Sequence, residues 1–179
     1  MDFDTLAAAR YSVRKFKTQQ VEQEKIDCLL RAARIAPTAG NRQPHRILVI
    51  TKEAGLKKVD DCTPYRFNAP LVLLTAYDTR RDWTRKYDGQ QSGMTDAAIV
   101  TTHLMLQAAD IGLGSTWVMS FDPRKAVSHF QIPAHLVPAA FLVIGYPADD
   151  AVPAEQHRER LALESLVYFD DFSACGSGA

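Results

Sequence analysis

The chain has little cysteine: three residues in 179, Cys28, Cys62 and Cys175, odd in number and far apart. That pattern argues against a disulfide framework and fits a reducing cytosol. It has no excess of either charge, with 21 basic residues against 21 acidic ones and a pI near 7. The whole-chain electrostatic case for a nucleic-acid or membrane-surface partner is therefore absent. No apolar run is long enough to cross a bilayer. The opening "MDFDTLAAAR" is too short and too acidic for a secretory leader. The chain also lacks a P-loop, GxGxxG, HExxH, CxxC and GxSxG. Its five histidines (His45, His103, His129, His135 and His157) have no metal-ligand spacing. What remains is a cytoplasmic protein, 46% hydrophobic, able to bury one core. The expected layout is a single domain over residues 1–170 and a flexible Ser/Gly/Ala tail over 171–179.

Within that domain, Ile26, Leu29, Leu30 and Ala33 recur at helical spacing and predict a helix over 21–36. "HRILVIT" and "PLVLLTAY" are apolar, β-branched runs that read as buried strands, with a helix "KEAGLKKVDDC" between them. Asp78 to Gly93 is polar and without periodicity, and a loop of that length is expected to be functional or mobile. Residues 95–111 carry the stripe Ala97, Thr101, Leu104, Ala108 and Ile111, with Thr95 as N-cap and Gly112 as the stop. His103 on this helix reads as a hydrogen-bonded core histidine. "STWVM" reads as a strand, "DPRKAVSHF" as a helix capped by Asp122 with Pro123 at its first position, and "PAAFLVIGY" as another buried strand. "EQHRERLALESLV" predicts a last helix. The mixture gives an α/β or α+β class with a small layered sheet.

Three polar clusters stand at element ends. In "ARYSVRKF", Arg10, Ser12 and Arg14 alternate, so an extended chain points all three to one side. Two guanidinium groups and a hydroxyl make an anion receptor; spacing alone favours a solvated basic strand. In "IAPTAGNRQPHRILVI", Pro37 stops the helix, Gly40 permits positive φ, and Asn41 offers both donor and acceptor to a flat heterocycle edge. The bland alternative is that Thr38 and Asn41 satisfy the loop backbone. Arg158 and Arg160 of "RER" read, alone, as an exposed helix face.

Taken in order, these stretches resemble the FMN-dependent nitroreductase family. "RYSVRKF", "APTAGNRQPHRILVI", "DAAIVTTHLMLQAADIGLGSTWVMSFDP", "VPAAFLVIGYP" and "RERLALESLV" are similar to its successive signatures, and "WTRKYDG" to its shorter members, over roughly residues 5 to 170. The resemblance implies an α+β, three-layer fold with a small central mixed sheet flanked by helices. It implies a homodimer with FMN sites at the interface. It also implies ping-pong hydride transfer from NAD(P)H through FMN to a nitro compound, quinone or similar small-molecule acceptor. Carried over, Arg10 and Ser12 hold the FMN phosphate, and Arg14 lies by the pyrimidine edge, where its charge favours hydride acceptance. Asn41 bonds the ring edge, with Pro37, Thr38 and Ala39 lining it. Arg160, with Arg158, returns to the phosphate. The backbone N–H groups of Met119 and Ser120 donate to N5 or O4. The flavin carries the chemistry, so no side chain is named as catalytic.

His45 stands where the family has an aromatic, His103 where it often has Asn, and Met119 where small residues are common. Met119, Trp83 and Tyr87 are candidates to shape the substrate face, and Arg80, Arg81 and Arg85 to meet a 2′-phosphate. Two alternatives stay open: a flavin-storage protein with little turnover, and same-fold flavin chemistry such as oxygen-dependent or dehalogenating reactions. The exposed aromatics of "LVYFDDF" point independently to an interface.

Overall fold

The computed structural model describes residues 2–172; Cys175 and most of the expected tail lie outside them. In chain order the elements are α1 (Phe3–Ala9), α2 (Gln23–Ile35), β1 (His45–Ile50), α3 (Glu53–Cys62), β2 (Leu71–Asp78), α4 (Gly93–Asp110), β3 (Gly114–Val118), α5 (Pro123–Phe130) and β4 (Leu136–Gly145). The strands form one sheet in the order β1-β2-β4-β3. The buried runs of β2 and β4 occupy its centre, where a strand is covered on both faces.

Alternation along those strands splits the core in two. Leu71, Leu73, Leu142 and Ile144 face α2 and α4, packing with Leu29, Val100 and Leu104. Val72, Leu74, Phe141 and Val143 face the other way, against Leu56 and Val59 of α3 and Ala126 of α5. The result is helices, sheet, helices: the expected three-layer α+β arrangement. Helix α4 is buried along Ala97, Val100, Thr101, Leu104 and Ala108, and Gly112, at φ +78, ends it in the left-handed conformation that glycine adopts without cost.

Several expectations are corrected. The four strands pair antiparallel throughout rather than as a mixed sheet. The α3 excursion starts and finishes at the same end of the sheet, with Ile50 opposite Val72, so the chain re-enters in the reverse direction. Parallel pairing enters through the isolated Ser12–Ser115 bridge. The helix expected from "EQHRERLALESLV" is two short 3-10 turns, Glu155–His157 and Leu163–Ser165. Leu161, Leu163 and Leu166 are exposed, so no packed face offsets the nucleation cost of a helix. Helix α4 begins at Gly93, with Ser92 rather than Thr95 at its N-cap position, three residues earlier. The stretch after β2 holds a 3-10 turn, Thr79–Arg81, and a small hairpin bridged at Thr84–Gln91. Helix α1 was not expected; the Asp2 carboxylate caps it through the Thr5 N–H at 2.9 Å.

The segment before α2 is tied to the edge of β3. The Val13 N–H donates to the Ser115 carbonyl at 3.0 Å, and the Thr116 hydroxyl donates to the Val13 carbonyl at 2.6 Å. Val13 is buried against Gly114, where an added Cβ would lie 2.5 Å from Val13 Cγ2. Gly114→Ala therefore forces the two segments apart. It should destabilise the protein by about 1–3 kcal/mol, read by chemical denaturation, whereas Gly112→Ala meets no atom and should show only the strain of its positive φ.

Candidate functional site

With Val13 turned inward, its neighbours turn outward. Arg10, Ser12 and Arg14 line a cleft of about 230 Å³, and Arg160 enters from late in the chain beside Gln156 and His157. Four of the expected anion ligands therefore share one cleft. Arg158, two residues before Arg160, does not line it. No carboxylate does either. Arg10 is half-buried; that burial, and then the Arg160 guanidinium, pull its pKa below the ordinary arginine value. Two like charges thus converge without a counter-ion, which is costly unless an anion joins them. His157 and Gln156 were missed from sequence, where neither sits in a recognisable motif.

The second cluster lies elsewhere on the protomer, since none of Pro37, Thr38, Ala39 and Asn41 lines that cleft. Pro37 follows the α2 cap at Ala36. Gly40, Asn41 and Gln43 all take positive φ. Thr38 Oγ1 accepts the Gln43 N–H at 3.0 Å, and Asn41 Oδ1 accepts from the Gln43 amide at 3.0 Å. The bland reading of Thr38 is thus satisfied, while Asn41 remains exposed. Trp83 packs over Gly40, 3.4 Å from where a Cβ would stand. The Arg81 Nε–H donates to the Arg42 carbonyl at 3.0 Å. Arg80 is paired with buried Asp78 and Arg85 with Asp88. Tyr87, 84% exposed, projects from the hairpin.

Asp96 holds this loop. It is buried in the first turn of α4; its Oδ1 accepts the Ala39 N–H at 2.9 Å and its Oδ2 the Ser92 hydroxyl at 2.8 Å. An acid inside an otherwise apolar stripe was the overlooked signal. At the start of β1, burial and then Arg46 lower the His45 pKa, against a smaller opposing pull from Asp96. The buried His45 Nδ1 has no hydrogen-bond partner among the described residues. His103 is hydrogen-bonded as expected, its Nδ1 bonded to the Ile99 carbonyl at 2.9 Å, but it is only partly buried and lies outside the core.

The third group stands at the far end of β3. Ser12 bridges Ser115, and Met119 lies four residues further along, about 13 Å at the rise of a strand. Met119 is 62% exposed and Ser120 is exposed as well. One strand thus connects the arginine-lined cleft to an open backbone end. Of the contacts around the second cluster, the Asp96 anchor is the most exacting. Asp96→Ala leaves the Ala39 N–H unpaired, and denaturation should show a loss of about 1–3 kcal/mol, with the 37–43 loop becoming more susceptible to proteolysis.

Comparison with known proteins places the fold in a family. The model of the Nitroreductase family matches residues 7–63 and 63–146. The crystal structure of a nitroreductase family protein from Clostridium difficile 630 superposes with a TM-score of 0.90 at 40% identity, covering 96% of this chain and 99% of that one. The NADH dehydrogenase of Thermus thermophilus is 27% identical over 199 residues, 93% of this chain and 95% of the relative. The FMN reductase (NAD(P)H) of Bacillus subtilis is 25% identical over 156 residues, 77% of this chain and 63% of the relative. With the fold, the family model and a relative at 40% identity in agreement, the chain belongs to the nitroreductase family.

Proposed function

We propose that the protein is an NAD(P)H-dependent oxidoreductase that binds FMN and reduces a quinone, nitro compound or similar small acceptor. The observation that carries this reading is the acid-free cleft where Arg10 and Arg160 converge. A phosphate dianion relieves their repulsion, and Ser12 and Arg14 add donors beside it. Family membership and the Bacillus subtilis relative named an FMN reductase support FMN as the phosphate bearer. When bound, FMN supplies hydride acceptance from NAD(P)H and donation to the acceptor.

The chain's own residues bind and orient. Arg10, Ser12 and Arg160 hold the phosphate. Arg14, the most outward of the alternating three, offers positive charge to the pyrimidine edge. Met119 and Ser120 present backbone N–H groups for the N5 and O4 edge, one strand length from the phosphate end. Pro37, Thr38, Ala39 and Asn41 would line the ring from a second copy of the chain, since they sit apart from the cleft in their own protomer. Arg158 is left as an outer contributor of charge.

A homodimer follows from the same reasoning. Leu161, Leu163, Leu166, Phe169 and Phe172 are exposed along the last described segment, an apolar arm of the kind that marks an interface. Among the described residues no helix is long and apolar enough to cross a membrane.

The test is an anaerobic absorbance experiment on protein loaded with FMN and desalted. The flavin band should be retained, bleach on adding NADH or NADPH, and return with a quinone or nitroarene. A retained band that neither nucleotide bleaches would favour storage, and loss of the band on desalting would contradict the proposal.

A further inference from the structure

The turn after β3 is held from outside by the end of α3. Thr63, the first residue past that helix, is buried, and its hydroxyl lies 2.7 Å from the Ser120 carbonyl. Thr63 Oγ1 also accepts the Tyr65 N–H at 3.3 Å. A hydroxyl has one hydrogen, so with a lone pair taken by Tyr65 its proton goes to Ser120. Next to it, the Asp122 N–H donates to the Cys62 carbonyl at 2.9 Å, and Lys125 Nζ to the Asp61 carbonyl at 3.1 Å. Two of the carbonyls left over at the end of α3 are thereby bonded to Asp122 and to Lys125 of α5. Within the turn, the Phe121 N–H donates to the Met119 carbonyl at 3.1 Å. Met119 and Ser120 are exposed, yet the carbonyls of both are fixed.

We propose that Thr63 is a positioning residue: its hydroxyl holds the Met119–Ser120 turn so that a backbone N–H of the turn faces the ring edge of the bound flavin. This rests on the proposed function, which gives that edge to Met119 and Ser120. Fixing the Ser120 carbonyl fixes the Ser120–Phe121 peptide plane, whose N–H donates to the Met119 carbonyl, so the brace reaches the Met119–Ser120 peptide through that bond. The bond to the Met119 carbonyl polarises the Met119–Ser120 peptide and strengthens its N–H as a donor. A backbone donor has no side chain to place it, so the placement must come from neighbours, and Thr63 is the buried side chain that reaches this one. The phosphate cleft shares no residue with the brace.

The separation gives the test. Thr63→Val keeps the shape and removes the hydroxyl; Thr63→Ser keeps the hydroxyl. Both are compared with wild type by melting of the apoprotein, FMN titration, the visible spectrum of the bound flavin and anaerobic reduction by NADPH or NADH, whichever reduces wild type faster, at saturating FMN. Thr63→Val should shift the long-wavelength flavin band and slow reduction about tenfold, the worth of one hydrogen bond, while its FMN Kd stays within about threefold. Thr63→Ser should match wild type in spectrum and rate. If Thr63→Val does not fold, Thr63→Ala takes its place with the same expectations. Wild-type spectrum and rate in a folded hydroxyl-free variant would overturn the inference. So would an equal defect in Thr63→Ser, or an FMN affinity that falls as far as the rate. A wild-type protein that neither retains nor reduces FMN would instead contradict the function, before any variant is compared.

Discussion

The candidate site depends on one constraint: the burial of Val13 against Gly114 at the edge of β3. Glycine at 114 lets the two backbones approach, and the Val13 N–H and carbonyl are both consumed in bonds to β3. With that residue fixed inward, the period-two geometry of an extended chain leaves Arg10, Ser12 and Arg14 no choice but to share the opposite side.

Strand β3 then relates the parts to each other. Its start carries the arginine cleft, through the bridge to Ser12, and its finish carries the open Met119–Ser120 turn. The strand is rigid because β4 pairs along its whole length and α4 covers one face. Distance and direction between the two ends are therefore properties of the sheet. The loop at Pro37 to Asn41 is organised separately, by Asp96 and Trp83, and none of its residues lines the cleft. The separation of the two clusters and the exposed apolar arm are the observations that support the proposed association of two chains.

Much of this was readable in the sequence where a residue's role is local. The α4 stripe, the buried runs of β2 and β4, and the Asp122–Pro123 start of α5 each follow from short-range rules, and the structure has them in place. The alternation of Arg10, Ser12 and Arg14 was also local, and the cleft gathers the three together. What failed depended on surroundings. The segment from Glu155 has helical composition but no surface to pack on, so it stays as turns. Strand direction depends on where α3 returns the chain, which periodicity does not encode. Asp96 and His157 gained their roles from partners 57 residues or more away, or from a cleft closed by the fold. The roles of the Met119 and Ser120 backbone are invisible to any side-chain pattern, and that part of the site came from resemblance alone.

The measurement that tests the central claim most directly is a paired titration of the apoprotein with FMN and riboflavin, in wild type and Arg10→Ala. If the Arg10–Arg160 cleft is the phosphate site, riboflavin binds wild type at least about 100-fold more weakly than FMN, the worth of one or two charge-assisted bonds. In Arg10→Ala that gap narrows, because FMN loses affinity and riboflavin does not. Equal affinity for the two flavins in wild type, or an Arg10→Ala loss shared by both, would contradict the account.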